Sequence, residues 1–286
     1  MIGHRGASGY RPEHTLASYE LAARRTTKII DGVSITGWFT EDLTLAELRT
    51  LRAVERLPSV RQRNTLYNGL FTVPTFQEVL DLRERLSREL RRTVGVYPET
   101  KHPTYFRSIG LGLEEPLVRA LRRNHLDRPK APVFVQSFEL ANLRDLRQRH
   151  RLTVPLVFLT GASGGPFGDP RTYAEYLTPA GLAELRSVVS GIGPEKGQII
   201  PRTADGTLGS PTSLVADAHH AGLVVHPYTF RAENQFLPVD YRTGTDPTAY
   251  GRAIDEQTTF LATGIDGLFT DQADIGVLSR ERFLAS

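Results

Sequence analysis

Pro132-Val-Phe-Val-Gln-Ser-Phe-Glu-Leu-Ala-Asn-Leu-Arg-Asp-Leu-Arg-Gln-Arg-His-Arg-Leu-Thr-Val-Pro-Leu-Val-Phe-Leu159 contains one full period of the rhythm that decides the fold of this chain. Its two ends, Pro132–Gln136 and Val154–Leu159, are short apolar runs rich in valine and aromatic residues, too short for helices and bounded by turn or polar residues. Between them, Glu139–Arg149 carries helical spacing. The same cadence recurs on both sides. Upstream, Thr93–Tyr97 reads as a strand and Glu114–Arg123 as a helix. Downstream, Leu223–His226 and Gly267–Thr270 read as strands, and Gln198–Pro201 reads as a weaker one with a helix over 211–221 after it. Strands alternating with helices imply parallel pairing with both sheet faces covered.

Polar residues follow these strands closely: Glu99 and Lys101, Gln136 and Ser137, His226 and Tyr228, Thr270 and Asp271. A parallel barrel gathers its chemistry at that carboxyl end, where the βα loops converge on one mouth. A doubly wound sheet does something similar at its switch point, so periodicity alone leaves both architectures open. The segment from Arg25 to Thr75 breaks the rhythm. There Lys28–Trp38 reads as irregular or short extended pieces, and Thr44–Arg52 as a helix with Thr44 as cap and Glu47 in the capping-box position. Asn64–Gly69 reads as loop, and a helix opens at Pro74 and runs to about Arg91.

Composition narrows the classes of function. With 286 residues, 40% hydrophobic and 23% charged, the chain can bury a sizeable core as a single domain. The net charge of +3 is spread along the chain and no basic run is interleaved with aromatics, which argues against nucleic acid as a partner. Cysteine is absent, so neither a disulfide framework nor a thiolate metal site is available. No apolar run is long enough to span a bilayer, so no stable membrane insertion is expected. No leader peptide is expected either, because the first motif starts two residues from Met1. Met1-Ile2-Gly3 reads as the end of a buried strand whose start has been cut away.

The strongest chemical signal is that first motif, Gly3-His-Arg-Gly-Ala-Ser-Gly-Tyr-Arg-Pro-Glu-His-Thr15. It sets a histidine and an arginine at a strand end, then a glycine-bearing turn, then a carboxylate where a helix begins. The guanidinium fork matches phosphate oxygens, and the imidazole exchanges protons near neutral pH. Read from residue chemistry alone, the string also fits a helix-initiation turn with a surface histidine and arginine. The second signal is Tyr97-Pro-Glu-Thr-Lys-His-Pro103, a strand ending in a carboxylate with a lysine two residues on. A hard divalent cation prefers such oxygen ligands, although an ordinary surface ion pair has the same appearance.

Both strings resemble signatures of the glycerophosphodiester phosphodiesterases: His-Arg-Gly-Ala with Pro-Glu-His-Thr, and Glu-Thr-Lys. Val135–Phe138, His226–Arg231 with Glu233-Asn234, and Asp266–Asp271 resemble that family's later barrel strands, so the similarity covers nearly the whole chain, the longer bacterial members being most alike. The resemblance implies a TIM-type (β/α) barrel and the metal-dependent hydrolysis of a small glycerophosphodiester to an alcohol and glycerol 3-phosphate, a step of glycerol and lipid metabolism. It implies His4 as the acid/base group, Arg5 as the phosphate ligand beside it and Glu13 as a residue that orders the substrate site. It further implies Glu99 as a ligand of a divalent cation, Ca2+ or Mg2+, and Lys101 as a phosphate contact. Gln136, His226 and Arg231 are expected to line the pocket or brace its loops. His102, His125, His150, His219 and His220 carry no such implication.

One stretch of the family pattern is missing. In the family, a strand bearing Glu-x-Asp supplies two metal carboxylates, and the next strand ends in His-Asp, whose histidine is the second acid/base group. Here Ala22–Arg25 runs directly into Thr26–Asp31, and neither Glu-x-Asp nor His-Asp occurs between Arg25 and Glu99. Glu41-Asp42 is adjacent rather than alternating. The expectation is therefore one barrel domain over 1–286 that lacks one or two early strands and carries an insertion-like segment around 26–75. Its activity is impaired, or it is a non-catalytic remnant that only binds phosphodiesters.

Overall fold

The computed structural model describes residues 23–286, and the expected first strand lies outside them. The described residues up to Arg56, with Arg63–Thr75, form one compact unit; Leu57–Gln62 with Phe76–Ser286 form a second.

In the first unit, β1 (Thr26–Ile30) and β2 (Val33–Gly37) pair antiparallel, with Ile30 opposite Val33. The intervening Asp31-Gly32 has φ of 50° and 77°, the conformation a two-residue hairpin turn demands and an Asp-Gly pair tolerates. The short extended pieces expected as one alternative over 28–38 are the two strands of this hairpin. Most of its residues are exposed on both faces, so no apolar alternation betrays it. The helix expected over 44–52 is only α1 (Leu45–Leu48), but its capping box is complete: Glu47 N donates to Thr44 Oγ1 at 3.3 Å and Thr44 N to Glu47 Oε2 at 2.6 Å. The expected loop over 64–69 is largely a 3-10 helix, Gln62–Tyr67.

In the second unit, α2 (Phe76–Glu89), α3 (Pro103–Ser108) and α4 (Glu114–Arg123) precede a sheet of four parallel strands in chain order. These are β3 (Val135–Ser137), β4 (Leu156–Thr160), β5 (Gly191–Pro194) and β6 (Val224–Val225). Isolated bridges lengthen it on both sides: Val96 with Val133 and Glu99 with Gln136 at one edge, Phe230 with Thr270 at the other. Six segments thus run parallel in the order of the sequence. Among the described residues they form an open arc of a barrel rather than a closed one. Helices follow the strands: α5 (Leu140–Gln148), α6 (Tyr173–Tyr176), α7 (Pro179–Leu185), α8 (Leu214–His220), α9 (Ala253–Leu261) and α10 (Ala273–Leu284).

The core lies between this sheet and its helices. Val133, Val135, Leu156, Phe158, Ile192 and Val225 send buried side chains outward against Leu121, Leu143, Leu146, Leu182 and Leu185. The alternate positions face inward and form layers: Tyr97, Phe134, His226 and Phe269 in one, and Glu99, Gln136, Glu195 and Tyr228 nearer the mouth.

The apolar pattern does not point to strand β5 but to a weaker strand over 198–201, where Lys196–Gln198 is instead a 3-10 turn. The two glycines of β5 hide it from a propensity-based reading, and packing requires them. A Cβ on Gly191 would stand 2.5 Å from Val224 Cγ2 and 2.7 Å from the Val224 carbonyl oxygen, and one on Gly193 would stand 2.6 Å from Leu159 Cδ2. Gly191→Ala is therefore expected to cost about 1–3 kcal/mol, as overpacking does. Urea unfolding should show that shortening Val224 to alanine recovers little of it, because the backbone oxygen remains.

Candidate active site

The described part of the site is built at the carboxyl ends of the first two segments. Glu99 bridges Gln136 across the strand pair, with Thr100 N donating to the Gln136 carbonyl at 3.1 Å. The Glu99 side chain is 21% exposed, and Lys101 Nζ, on a side chain 71% exposed, lies 3.4 Å from its Oε1. A half-buried carboxylate beside a lysine free to swing is suited to handling a charged ligand at the mouth. Gln136 is buried, and its Oε1 has no hydrogen-bond partner among the described residues. A buried amide oxygen without a partner is costly unless a ligand or water completes it.

His226 does not stand at the mouth with them. Two residues before Tyr228 on the inner face, it belongs to the deeper layer, with Nδ1 3.0 Å from the Tyr97 hydroxyl and its ring edge-on to Phe134 and Tyr97 at 5.1 and 5.9 Å. Burial pushes its pKa below the ordinary imidazole value, with the Asp266 charge opposing, which favours the neutral ring. Burial likewise raises the Tyr97 phenol. Above this layer Tyr228 donates to the Thr160 carbonyl at 3.0 Å, which fixes its ring over the ends of β4 and β5.

Arg231 is held away from solution chemistry. Its Nε donates to Asp271 Oδ2 at 2.9 Å and its guanidinium lies 4.7 Å from the centre of the Phe236 ring. Asp271 also accepts from Arg61 Nη2 at 2.7 Å, while Arg61 Nε donates to the buried Glu233 at 2.6 Å. This network ties the loops after β6 and after the last segment together. Arg61 was invisible to local sequence reasoning, since its partners lie 172 and 210 residues away.

His4, Arg5 and Glu13 lie outside the described residues. Glu41 and Asp42, in the first unit, are occupied by Lys28, whose Nζ lies 3.0 and 2.5 Å from them. Among the described residues, no three histidine, aspartate or glutamate side chains converge on a point that could hold an ion. A hard divalent cation takes six to eight oxygens, and among the described residues Glu99, with an ammonium 3.4 Å away, contributes a single carboxylate toward one. Among the described residues, no helix is long and apolar enough to cross a membrane.

A parallel βα arc with carboxylate, amide and lysine gathered at its strand ends defines a barrel-type α/β protein. The glycerophosphoryl diester phosphodiesterase family profile matches residues 24–275, and the chain belongs to this family, one of phosphoric diester hydrolases. It is similar to glycerophosphodiester phosphodiesterase GDPD6 of Arabidopsis thaliana, with 36% identity over 265 residues, 88% of this chain and 67% of that protein. It is also similar to a glycerophosphodiester phosphodiesterase of Haemophilus influenzae, with 25% identity over 333 residues, 97% of this chain and 88% of that one. That alignment is longer than the 286-residue chain itself, so the relative contains stretches with no counterpart here.

Among solved structures, one from Silicibacter pomeroyi described as a glycerophosphoryl diester phosphodiesterase superposes with a TM-score of 0.58 at 21% identity, covering 99% of this chain and 92% of that one. Another so described, from Agrobacterium tumefaciens, gives 0.52 at 19% identity, covering 99% and 85%. These two establish the fold.

Proposed function

We propose that this chain hydrolyses glycerophosphodiesters to an alcohol and glycerol 3-phosphate, with a rate reduced by the missing segment. The observation that carries this reading is the pairing of Glu99 and Gln136 on adjacent strand ends, with Lys101 3.4 Å from the carboxylate, in a chain that opens with His4-Arg5. Arg5 and Lys101 hold the phosphate oxygens, Arg5 as a fork and Lys101 as a mobile point charge. Gln136 lines the substrate pocket beside Glu99, Glu13 orders the substrate loop, and His226 supports the floor beneath through Tyr97. His4 performs one of the two proton transfers. The other has no histidine in this chain's version of the pattern, which removes a factor on the order of 10²–10⁴ in rate. The family's divalent cation, Ca2+ or Mg2+, would supply charge neutralisation at the phosphate. Glu99 would be one of the residues that hold it.

A second reading, a non-catalytic phosphodiester binder, is favoured by the lack of converging ligands around Glu99 among the described residues. The two separate cleanly. Release of glycerol 3-phosphate from glycerophosphocholine is expected to be slow but measurable and to fall a further ~10²-fold or more in His4→Ala. An unchanged rate in that variant would overturn the assignment of His4. No turnover by the parent chain, together with saturable binding that Arg5→Ala abolishes, would establish the binder instead.

A further inference from the structure

Elsewhere in the second unit the outward side of the strands is largely apolar, but behind Glu99 and Lys101 a chain of polar groups takes over. Thr100, between the two, is 6% exposed, and its hydroxyl donates to Asn142 Oδ1 on α5 at 2.7 Å. Asn142 is 1% exposed and donates from Nδ2 to Glu114 Oε1 on α4 at 2.9 Å. Glu114 is buried too, and the Arg107 guanidinium of α3 donates to the same oxygen. The main chain is tied as well: Thr100 N donates to the Gln136 carbonyl at 3.1 Å and Ser137 Oγ to the Thr100 carbonyl at 3.2 Å. Past Lys101, His102 has φ 49° and ψ 45°, a left-handed conformation that a non-glycine residue keeps where its surroundings over-determine it. Thr104 N then donates to Oε2 of the buried Glu139 at 3.2 Å. Glu139 and Asn142, at the start of α5, thus hold the two threonines that flank Lys101.

The order of these groups sets their direction. Burial raises the Glu114 pKa, but hydrogen bonds from Asn142, from the main chain and from Arg107 outweigh it and hold the carboxyl below its usual value. An ionised carboxylate only accepts, so the Asn142 amide turns Nδ2 toward it and Oδ1 toward Thr100. Thr100 has a single hydroxyl hydrogen, and Oδ1 receives it. With Thr100 pinned outward, its neighbours along the extended chain fall on the mouth side, where Lys101 Nζ stands 3.4 Å from Glu99 Oε1. A leucine in place of Asn142 would suit the apolar surroundings better, since buried polar groups are costly. It would not specify which way Thr100 turns.

We propose that Asn142, oriented by Glu114, is a positioning residue: it reaches no ligand itself and fixes the segment that presents Glu99 and Lys101 to one. The proposal rests on the hydrolytic reading in taking Lys101 as a phosphate contact, and its test keeps the two apart. On the full chain, 15N relaxation reads the order of the Lys101 amide. Its order parameter is expected near the rigid value of about 0.85 in the parent and in Thr100→Ser, which keeps the hydroxyl, and below about 0.6 in Asn142→Ala and Thr100→Val. The α5 amides should stay rigid throughout. Thr100→Val conserves shape and keeps the test valid if Asn142→Ala fails to fold. The dissociation constant for glycerol 3-phosphate should rise about tenfold in the two loosened variants and stay unchanged in Thr100→Ser, because a segment no longer held in its binding conformation must be ordered on binding. A Lys101 amide as rigid in both variants as in the parent would overturn the proposal. So would unchanged affinity in the loosened variants where Lys101→Ala weakens binding. Should Lys101→Ala bind glycerol 3-phosphate as the parent does, the reading of Lys101 as a phosphate contact falls, and the amide alone decides the positioning.

Discussion

Replacing Arg61 by alanine is expected to lower the unfolding free energy by about 3 kcal/mol, the lower end of the range for removing one partner of a buried ion pair. Glu233 is 1% exposed and, among the described residues, would be left with the Gln272 amide, 3.3 Å from its Oε1, to offset its charge. The remaining exposure of Arg61, 19%, keeps the loss from reaching the upper end. Denaturant midpoints check the figure, and Arg61→Ala with Glu233→Gln should recover much of the loss, because a neutral amide needs no counter-charge. A loss below about 1 kcal/mol would mark the network as an ordinary surface pair.

The same network predicts a pH dependence. Burial raises the Asp271 pKa, but hydrogen bonds from Arg61 and Arg231 outweigh it and hold the carboxyl below its usual value. A lowered folded-state pKa contributes stability that is present above the ordinary aspartate value, about 4, and is lost as pH falls through the lowered one. The acid slope of stability below pH 4 should therefore be shallower in Arg61→Ala than in the parent.

Phe158→Ala is expected to cost about 3–5 kcal/mol, the range for deleting a buried aromatic side chain. Phe158 lies on β4 with no exposed surface, edge-on to Tyr176 with ring centres 5.2 Å apart and tilted against Tyr173 at 6.0 Å. Tyr176 is fixed in turn by donating to Asp169 at 2.6 Å and accepting from Arg171 at 2.7 Å, so its ring cannot move in to fill the cavity. Phe158→Leu should cost markedly less. Thermal unfolding of the two variants side by side tests whether the cavity, rather than lost aromaticity, sets the loss.

How far the sequence foretold all this depends on where each signal resides. The helix expected over Glu114–Arg123 is observed with those bounds, and that over 139–149 is off by one residue at each end, because each carries an apolar stripe that packs on the sheet. The strands at 135–137 and 156–160 lie one to three residues beyond their apolar runs, since strand ends are set by pairing partners rather than by local preference. Strand β5 was missed because packing against Val224 and Leu159 requires glycine, which reads as turn. The positions of Glu99, just past a strand run, and of Gln136, at the end of one, were legible from the apolar runs before them. His226 was not, because only the inward alternation shows that it lies a layer deeper than Tyr228. The pairs Arg61–Glu233 and Lys196–Glu256 depend on long-range geometry that no local window contains.

The packing of the second unit bears on how such a chain persists. Its large buried cluster is assembled from outward-facing strand residues and helices, whereas the inward-facing Tyr97, Phe134, His226 and Phe269 stay outside that cluster and are only partly covered. Cohesion therefore resides in the rim of the wheel and not in its hub. Each βα unit is held by its neighbours, so a unit can be lost or gained at an open edge while the others keep their support. Such modularity makes the fold of this unit tolerant of change at its open edge, where fewest neighbours depend on what is altered.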